Sequence, residues 1–198
     1  MRNHLFQKII VALAASTIAT AGLANFSVPS GTYELEDTHG YITFSYSHLG
    51  FSTPHVGFNS FEVTLEANAE DPTKSSVSVT IDAASIDSRV DEFDKHLRGA
   101  DYFDTANHPE ITFQSTAITS TSDNTFDVTG DLTIKRITKP ITLNATINKA
   151  DNHPMRRVPT IGLSASGTVS RTEMGLGKFV PAVGDEITLF ITVEMIKP

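Results

Sequence analysis

Ile187-Thr188-Leu189-Phe190-Ile191-Thr192-Val193-Glu194 decides the fold, because Ile187, Leu189, Ile191 and Val193 alternate with Thr188, Phe190, Thr192 and Glu194. Side chains along a β-strand point to opposite faces in turn, so a period of two marks a strand with one apolar and one largely polar face. The same period runs through Phe61, Val63 and Leu65, through Val77, Val79 and Ile81, and through Ile42, Phe44 and Tyr46. It recurs in Ile111 and Phe113, in Leu132 and Ile134, in Ile141, Leu143, Ala145 and Ile147, and in Ile161, Leu163, Ala165 and Val169. Turn chemistry separates these runs at Pro72, Asp123-Asn124, Lys139-Pro140, Asn152 to Pro159 and Gly184-Asp185, which predicts eight or nine strands. One segment departs: between Ser88 and Phe103, Val90, Phe93 and Leu97 sit at helical spacing among charged residues, predicting a short amphipathic helix.

Strands with one apolar face must hide it, in a sandwich or by closing the sheet on itself. A single helical interruption among long, even strands with hairpin-like connections favours an all-β, antiparallel eight-stranded barrel. The interior of such a barrel is either filled by side chains or just wide enough for one small or elongated ligand.

Composition removes several function classes. The 198 residues contain no cysteine, so disulfide frameworks, thiol nucleophiles and cysteine-ligated metal sites are excluded. The formal charge of -8 argues against a nucleic-acid partner, which requires a surplus of lysine and arginine. Arg2 and Lys8 precede an uncharged run from Ile9 to Ala24 that ends in Gly22-Leu23-Ala24. That is the pattern of a cleavable export signal over residues 1–24, too short and too weakly apolar for a membrane anchor of roughly 20 residues. One domain is expected over residues 25–198, with a periplasmic location and 13 basic against 23 acidic residues.

Motifs that carry chemistry are scarce. Phosphate loops, paired metal-ligand histidines and nucleophile elbows are missing from the sequence. His39, His48, His55, His96, His108 and His153 form no close pair of the kind that dedicated metal sites supply, so no metal is expected. His48 continues the register of Ile42, Phe44 and Tyr46; it is either a polar contact to a ligand or a rim residue in water. Arg156-Arg157 reads as a solvated loop or as a contact to a phosphate head group at a barrel mouth. The phenylalanines read as core or as cavity lining.

Three longer strings go further: YELEDTHGYITFSYSHLGFSTPHVGFNSF from Tyr33, DKHLRGADYFDTANHPEITFQST from Asp94, and TGDLTIKRITKPITL from Thr129. In this order they resemble the signatures of the YceI-like family of exported, lipocalin-like proteins, with the likeness running from about Gly31 to Glu194. The resemblance implies a lipocalin-like barrel with a helical cap and an elongated cavity for a polyisoprenoid, such as an isoprenoid quinone or prenyl phosphate, or another long-chain amphiphile. Three positions depart from the family pattern: Phe93 stands where an arginine is usual, Arg136 where a glycine is, and Gly40 where a serine is. The first removes a cation from the helical cap.

Register and motif position nominate Phe44, Tyr46, Phe58, Phe61, Phe103 and Phe113 as tail contacts, with His48 and His96 as polar contacts. At about 0.3 kcal/mol per heavy atom, a chain of ~40 carbons would supply on the order of 12 kcal/mol, leaving little for a head group to add. The leading reading is a non-catalytic carrier or reservoir that needs no cofactor beyond a bound isoprenoid lipid or quinone, with room for transient membrane contact and an open oligomeric state that includes a homodimer. The alternatives are an envelope stress or interaction protein with a filled core, and an enzyme acting on a bound lipid.

Overall fold

Period-two patterning becomes eight long strands and two short ones in the computed structural model, which describes residues 28–198; the expected export signal lies outside the described residues. The strands are β1 (Gly31–His48), β2 (His55–Phe58), β3 (Phe61–Ala67), β4 (Ser76–Asp82), β5 (Ile86–Asp87), β6 (Glu110–Ser120), β7 (Thr125–Ile134), β8 (Ile137–Asn152), β9 (Pro159–Ser170) and β10 (Val183–Ile196). They pair antiparallel in the circuit β1-β3-β4-β6-β7-β8-β9-β10, and β10 returns to β1 from Glu34↔Ile196 to His48↔Val183, closing the barrel. Closure gives every strand of the eight-strand circuit two neighbours.

β1 is shared between two neighbours. Its first residues pair with β3, from Gly31↔Ala67 to Glu34↔Thr64, whereas Ile42 to Ser45 pair with β2, which in turn carries β5. The wall therefore forks where β1 leaves β3. At one end of the barrel lie the segments 49–54, 83–109 and 171–182, and at the other lie 68–75, 121–124 and 153–158. We call the first the mouth and the second the far end.

The helix α1 (Asp91–Arg98) sits at the mouth and is half the length of the periodic segment. Its hydrogen bonding stops at Gly99, whose N–H donates to the His96 carbonyl at 3.0 Å. Acidic Asp91, Glu92 and Asp94 occupy the first turn and basic Lys95, His96 and Arg98 the last, the arrangement that complements the helix dipole. Buried Asp94 accepts from the Ser88 N–H at 2.7 Å and from its hydroxyl at 2.5 Å. Arg98 donates to the Ala84 and Ile86 carbonyls at 2.8 Å each, so both ends of α1 are tied to the segment around β5.

Two expected turns fall elsewhere. Lys139-Pro140 lies inside β8, and the chain reverses earlier, at Lys135-Arg136, with Thr133↔Thr138 and Ile134↔Ile137 paired around it. Proline is tolerated there because β8 pairs with β9 only from Asn144 onward, so the missing N–H breaks no ladder on that side. Gly184-Asp185 similarly belongs to β10, and the reversal occupies 171–182. In β7, Gly130 lies beneath a neighbour: a Cβ there would stand 2.4 Å from the Phe113 ring and 2.5 Å from the Gln114 carbonyl oxygen.

Candidate functional site: the barrel cavity

Closing eight half-apolar strands turns their apolar faces inward, and here they do not meet in the middle. A cavity of about 700 Å³ runs inside the barrel. Its wall is built by the inward positions of successive strands, among them Ile187, Leu189, Ile191 and Val193 of β10 and the cross-strand pair Ala145↔Ala165. Small residues such as these alanines leave room where larger ones would fill the lumen. Near α1 the rings of Phe44 and Phe58 lie 6.0 Å apart, and Phe103 meets Phe58 edge-on at 5.9 Å. Buried Leu97, Phe103, Met174 and Leu176 belong to the same apolar cluster and roof over part of the mouth.

Most of the polar lining lies at the mouth, with Asn68 and Ser75 at the far end. Tyr46, His48, His55, His96, Tyr102 and Arg171 all border the cavity, and no carboxylate does among the described residues. Arg171 is held by carbonyl oxygens: its Nε donates to Gly184 at 2.9 Å, Nη2 to Val183 at 3.0 Å, and Nη1 to Leu176 at 3.0 Å and to Lys178 at 3.4 Å. Four such bonds fix the guanidinium plane, and its charge helps to hold the Asp185 carboxyl below the usual carboxylate range, after the Thr172 and Ser170 hydrogen bonds. Burial raises the pKa of the Tyr46 phenol, while the Arg171 charge pulls it down and Tyr102 pushes it up, so the three groups sense one another.

Seven of the eight residues nominated from the sequence border this cavity: Phe44, Tyr46, Phe58, Phe103 and Phe113 along the wall, with His48 and His96 at the rim. Both histidines are exposed. Phe61 is not in the lining. Its ring lies 3.2 Å from where a Cβ on Gly40 would be, filling the fork where β1 departs from β3, so correct strand parity did not bring it to the lumen. Arg171 and Tyr102 were not nominated as contacts; Arg171 has the strand-end position that makes it a rim residue, whereas Tyr102 sits in an irregular segment with no periodic signal.

Arg156 is removed from any head-group role at the mouth, because it lies at the far end in an ion pair with Glu36. Buried Glu36 also accepts from the Thr38 hydroxyl at 2.8 Å and contacts His39 Nδ1 at 2.7 Å. Burial raises its pKa, but the Thr38 and His39 hydrogen bonds and the Arg156 charge outweigh that and hold it at about 2. Glu36, His39 and Glu194 bring three ligand-type atoms within 4.8 Å of one another, a juxtaposition of β1 with β10 that spacing along the sequence does not reveal. The guanidinium on Glu36 already compensates its charge, which makes the group an ion-pair lock.

Taken together, the closed antiparallel circuit, the unfilled apolar lumen and the polar opening define a cavity-bearing barrel of the lipocalin-like kind. The chain belongs to the YceI-like domain family, whose pattern matches residues 33–195. It is 31% identical over 193 residues to a UPF0312 protein of Azotobacter vinelandii, spanning 98% of this chain and all of that one. It is also 35% identical over 186 residues to a UPF0312 protein of Pseudomonas putida, covering 93% and 96% of the two chains, and 31% identical over 184 residues to protein YceI of Escherichia coli, covering 92% and 95%. Among solved structures, the Campylobacter jejuni YceI protein superposes with a TM-score of 0.71 at 25% identity over 77% of this chain and 90% of that one. A polyisoprenoid-binding domain from Saccharophagus degradans shares the fold, with a TM-score of 0.67 at 12% identity over 84% and 98%.

Proposed function

We propose that this protein is an exported, non-catalytic carrier or reservoir for an isoprenoid-type lipid, such as a quinone or a prenyl phosphate, with the tail in the barrel and the head group at the mouth. The observation that carries this reading is the cavity itself: about 700 Å³ of space with an apolar wall, its histidines, tyrosines and arginine at one end and only Asn68 and Ser75 as polar lining at the other. An amphiphile has the same asymmetry. The polyisoprenoid-binding domain of the same fold adds support.

Burial of an apolar tail along the wall would supply most of the binding, and Arg171, Tyr46 and Tyr102 are the groups placed at the mouth to meet a head group. The absence of a carboxylate from the lining favours an anionic or carbonyl-bearing head group over a cationic one. Residues 1–24 would direct the chain to the periplasm before the barrel forms.

Organic-solvent extraction of the purified protein followed by mass spectrometry tests the reading. A near-stoichiometric prenyl lipid is the expected result. Lipid-free protein that also fails to take up added quinone or prenyl phosphate would overturn it.

A further inference from the structure

Apolar side chains gather outside the cavity as well as inside it. Seven large apolar residues are exposed among those described, and four of them, Leu49, Phe51, Val90 and Phe179, belong to the mouth segments. Phe51 is 90% exposed and Phe179 is 62% exposed. The loops that bear them are linked: the Leu49 N–H donates to the Ala182 carbonyl at 3.1 Å, and the Val183 N–H to the Phe179 carbonyl at 2.9 Å. Val90 and Phe179 border the cavity directly.

Their backbone is set in an unusual way. Leu49 and Phe179 have φ of +56° and +67°, with Gly50 at +74° and Arg89, beside Val90, at +64°. Bulky residues adopt this region only where their surroundings impose it. Three separate mouth turns are thus held in left-handed conformations next to solvent-facing apolar side chains.

We infer that this rim docks onto a lipid bilayer, with Phe51 and Phe179 entering the interface, so that a lipid passes between membrane and cavity without crossing water. The inference rests on reading the cavity as a lipid site. Three considerations select a bilayer over a second protein. The rim is continuous with the apolar lumen, so a chain leaving the cavity meets Val90 and Phe179 next. Four side chains at these exposures offer roughly 400 Å², about half of the ~800 Å² that each partner contributes to a stable protein interface. The mouth segments together with the Lys135-Arg136 turn hold seven basic and seven acidic residues, so the rim has no formal charge surplus, and Lys178 pairs with Asp101 within it. Insertion of aromatic side chains, rather than attraction to anionic head groups, is then the driving term, and it resists salt.

The chain has no tryptophan, so one substitution creates a unique reporter. Phe51→Trp protein, mixed with phosphatidylethanolamine/phosphatidylglycerol vesicles, should show a blue-shifted emission that brominated acyl chains quench, at low and at high salt alike. Met155→Trp, placed at the far end where residue 155 is 83% exposed, should remain unquenched. Adding Phe179→Ser to Phe51→Trp should weaken partitioning roughly tenfold or more. Equal quenching at both positions, no quenching at residue 51, or a blue shift that follows protein concentration without vesicles would overturn the inference, the last by showing that a second copy covers the rim. Extracting the same preparations keeps the two readings apart. Bound lipid without insertion at residue 51 overturns the rim inference alone, and insertion by a protein that takes up no lipid upholds docking while overturning the cavity reading.

Discussion

Arg156 closes an ion pair on Glu36 across 120 residues of sequence, joining the loop between β8 and β9 to β1 where its pairing with β10 shifts register between Leu35 and Gly40. Because Glu36 is buried, its charge requires every partner it has. The pair fastens the far end of the barrel, and the more exposed Lys178–Asp101 pair joins two segments of the mouth.

Acid should loosen that lock. The carboxyl of Glu36 lies at about 2 in the folded protein against 4.5 for the free group. Its contribution is complete above the unfolded value and is lost as pH falls from about 4.5 towards 2. Glu36→Gln should cost about 2 kcal/mol at pH 7 in urea unfolding, and the gap to the unsubstituted protein should narrow through that window. A constant gap from pH 7 to pH 2 would contradict this account.

Filling the lumen should separate stability from ligand capacity. Ala145 and Ala165 face each other across β8 and β9 and border the cavity. Ala165→Phe should place its ring in the void and reduce extractable lipid severalfold, with a thermal midpoint of the lipid-free protein equal to or above that of the original. Unchanged lipid content would show that the ligand does not occupy this part of the cavity.

Arg171→Met should affect anionic ligands more than neutral ones. Losing a charged donor costs roughly 1.5–3 kcal/mol, a tenfold effect or greater on affinity for a prenyl phosphate, with a smaller effect for a quinone. Competition titrations with the two ligands would read the difference. Arg171→Lys should not restore it, because a lysine cannot reproduce the planar set of bonds to Gly184, Val183 and Leu176.

Gly130→Ala should destabilise the wall by about 1–3 kcal/mol. The added methyl would meet both the Phe113 ring and the Gln114 carbonyl, and only the ring can yield. Chemical denaturation reads the loss, and pairing the change with Phe113→Leu should recover part of it.

Most of the wall was legible from period two, because each inward face of β3, β4, β7, β9 and β10 is a run of alternating apolar residues. The mouth was less so. Arg171 and Tyr102 point to the cavity by virtue of the course of 99–109 and 171–182, which no local period describes. Phe61 shows the limit of parity: it has the register of Val63 and Leu65, yet the fork in β1 and the bare Cα of Gly40 draw its ring aside. Arg156 had the chemistry for a head group, but its location depended on which end the β8–β9 loop occupies, a matter of topology rather than residue type.

The seam between β1 and β10 also sets a timetable. The wall is sealed by the first and last strands of the barrel, from Glu34↔Ile196 to His48↔Val183, so no enclosed lumen exists until β10 has been synthesised and has reached β1. Pairings this distant in sequence form slowly. A ligand of the kind proposed would thus find an enclosed lumen only after the last strand has closed on the first.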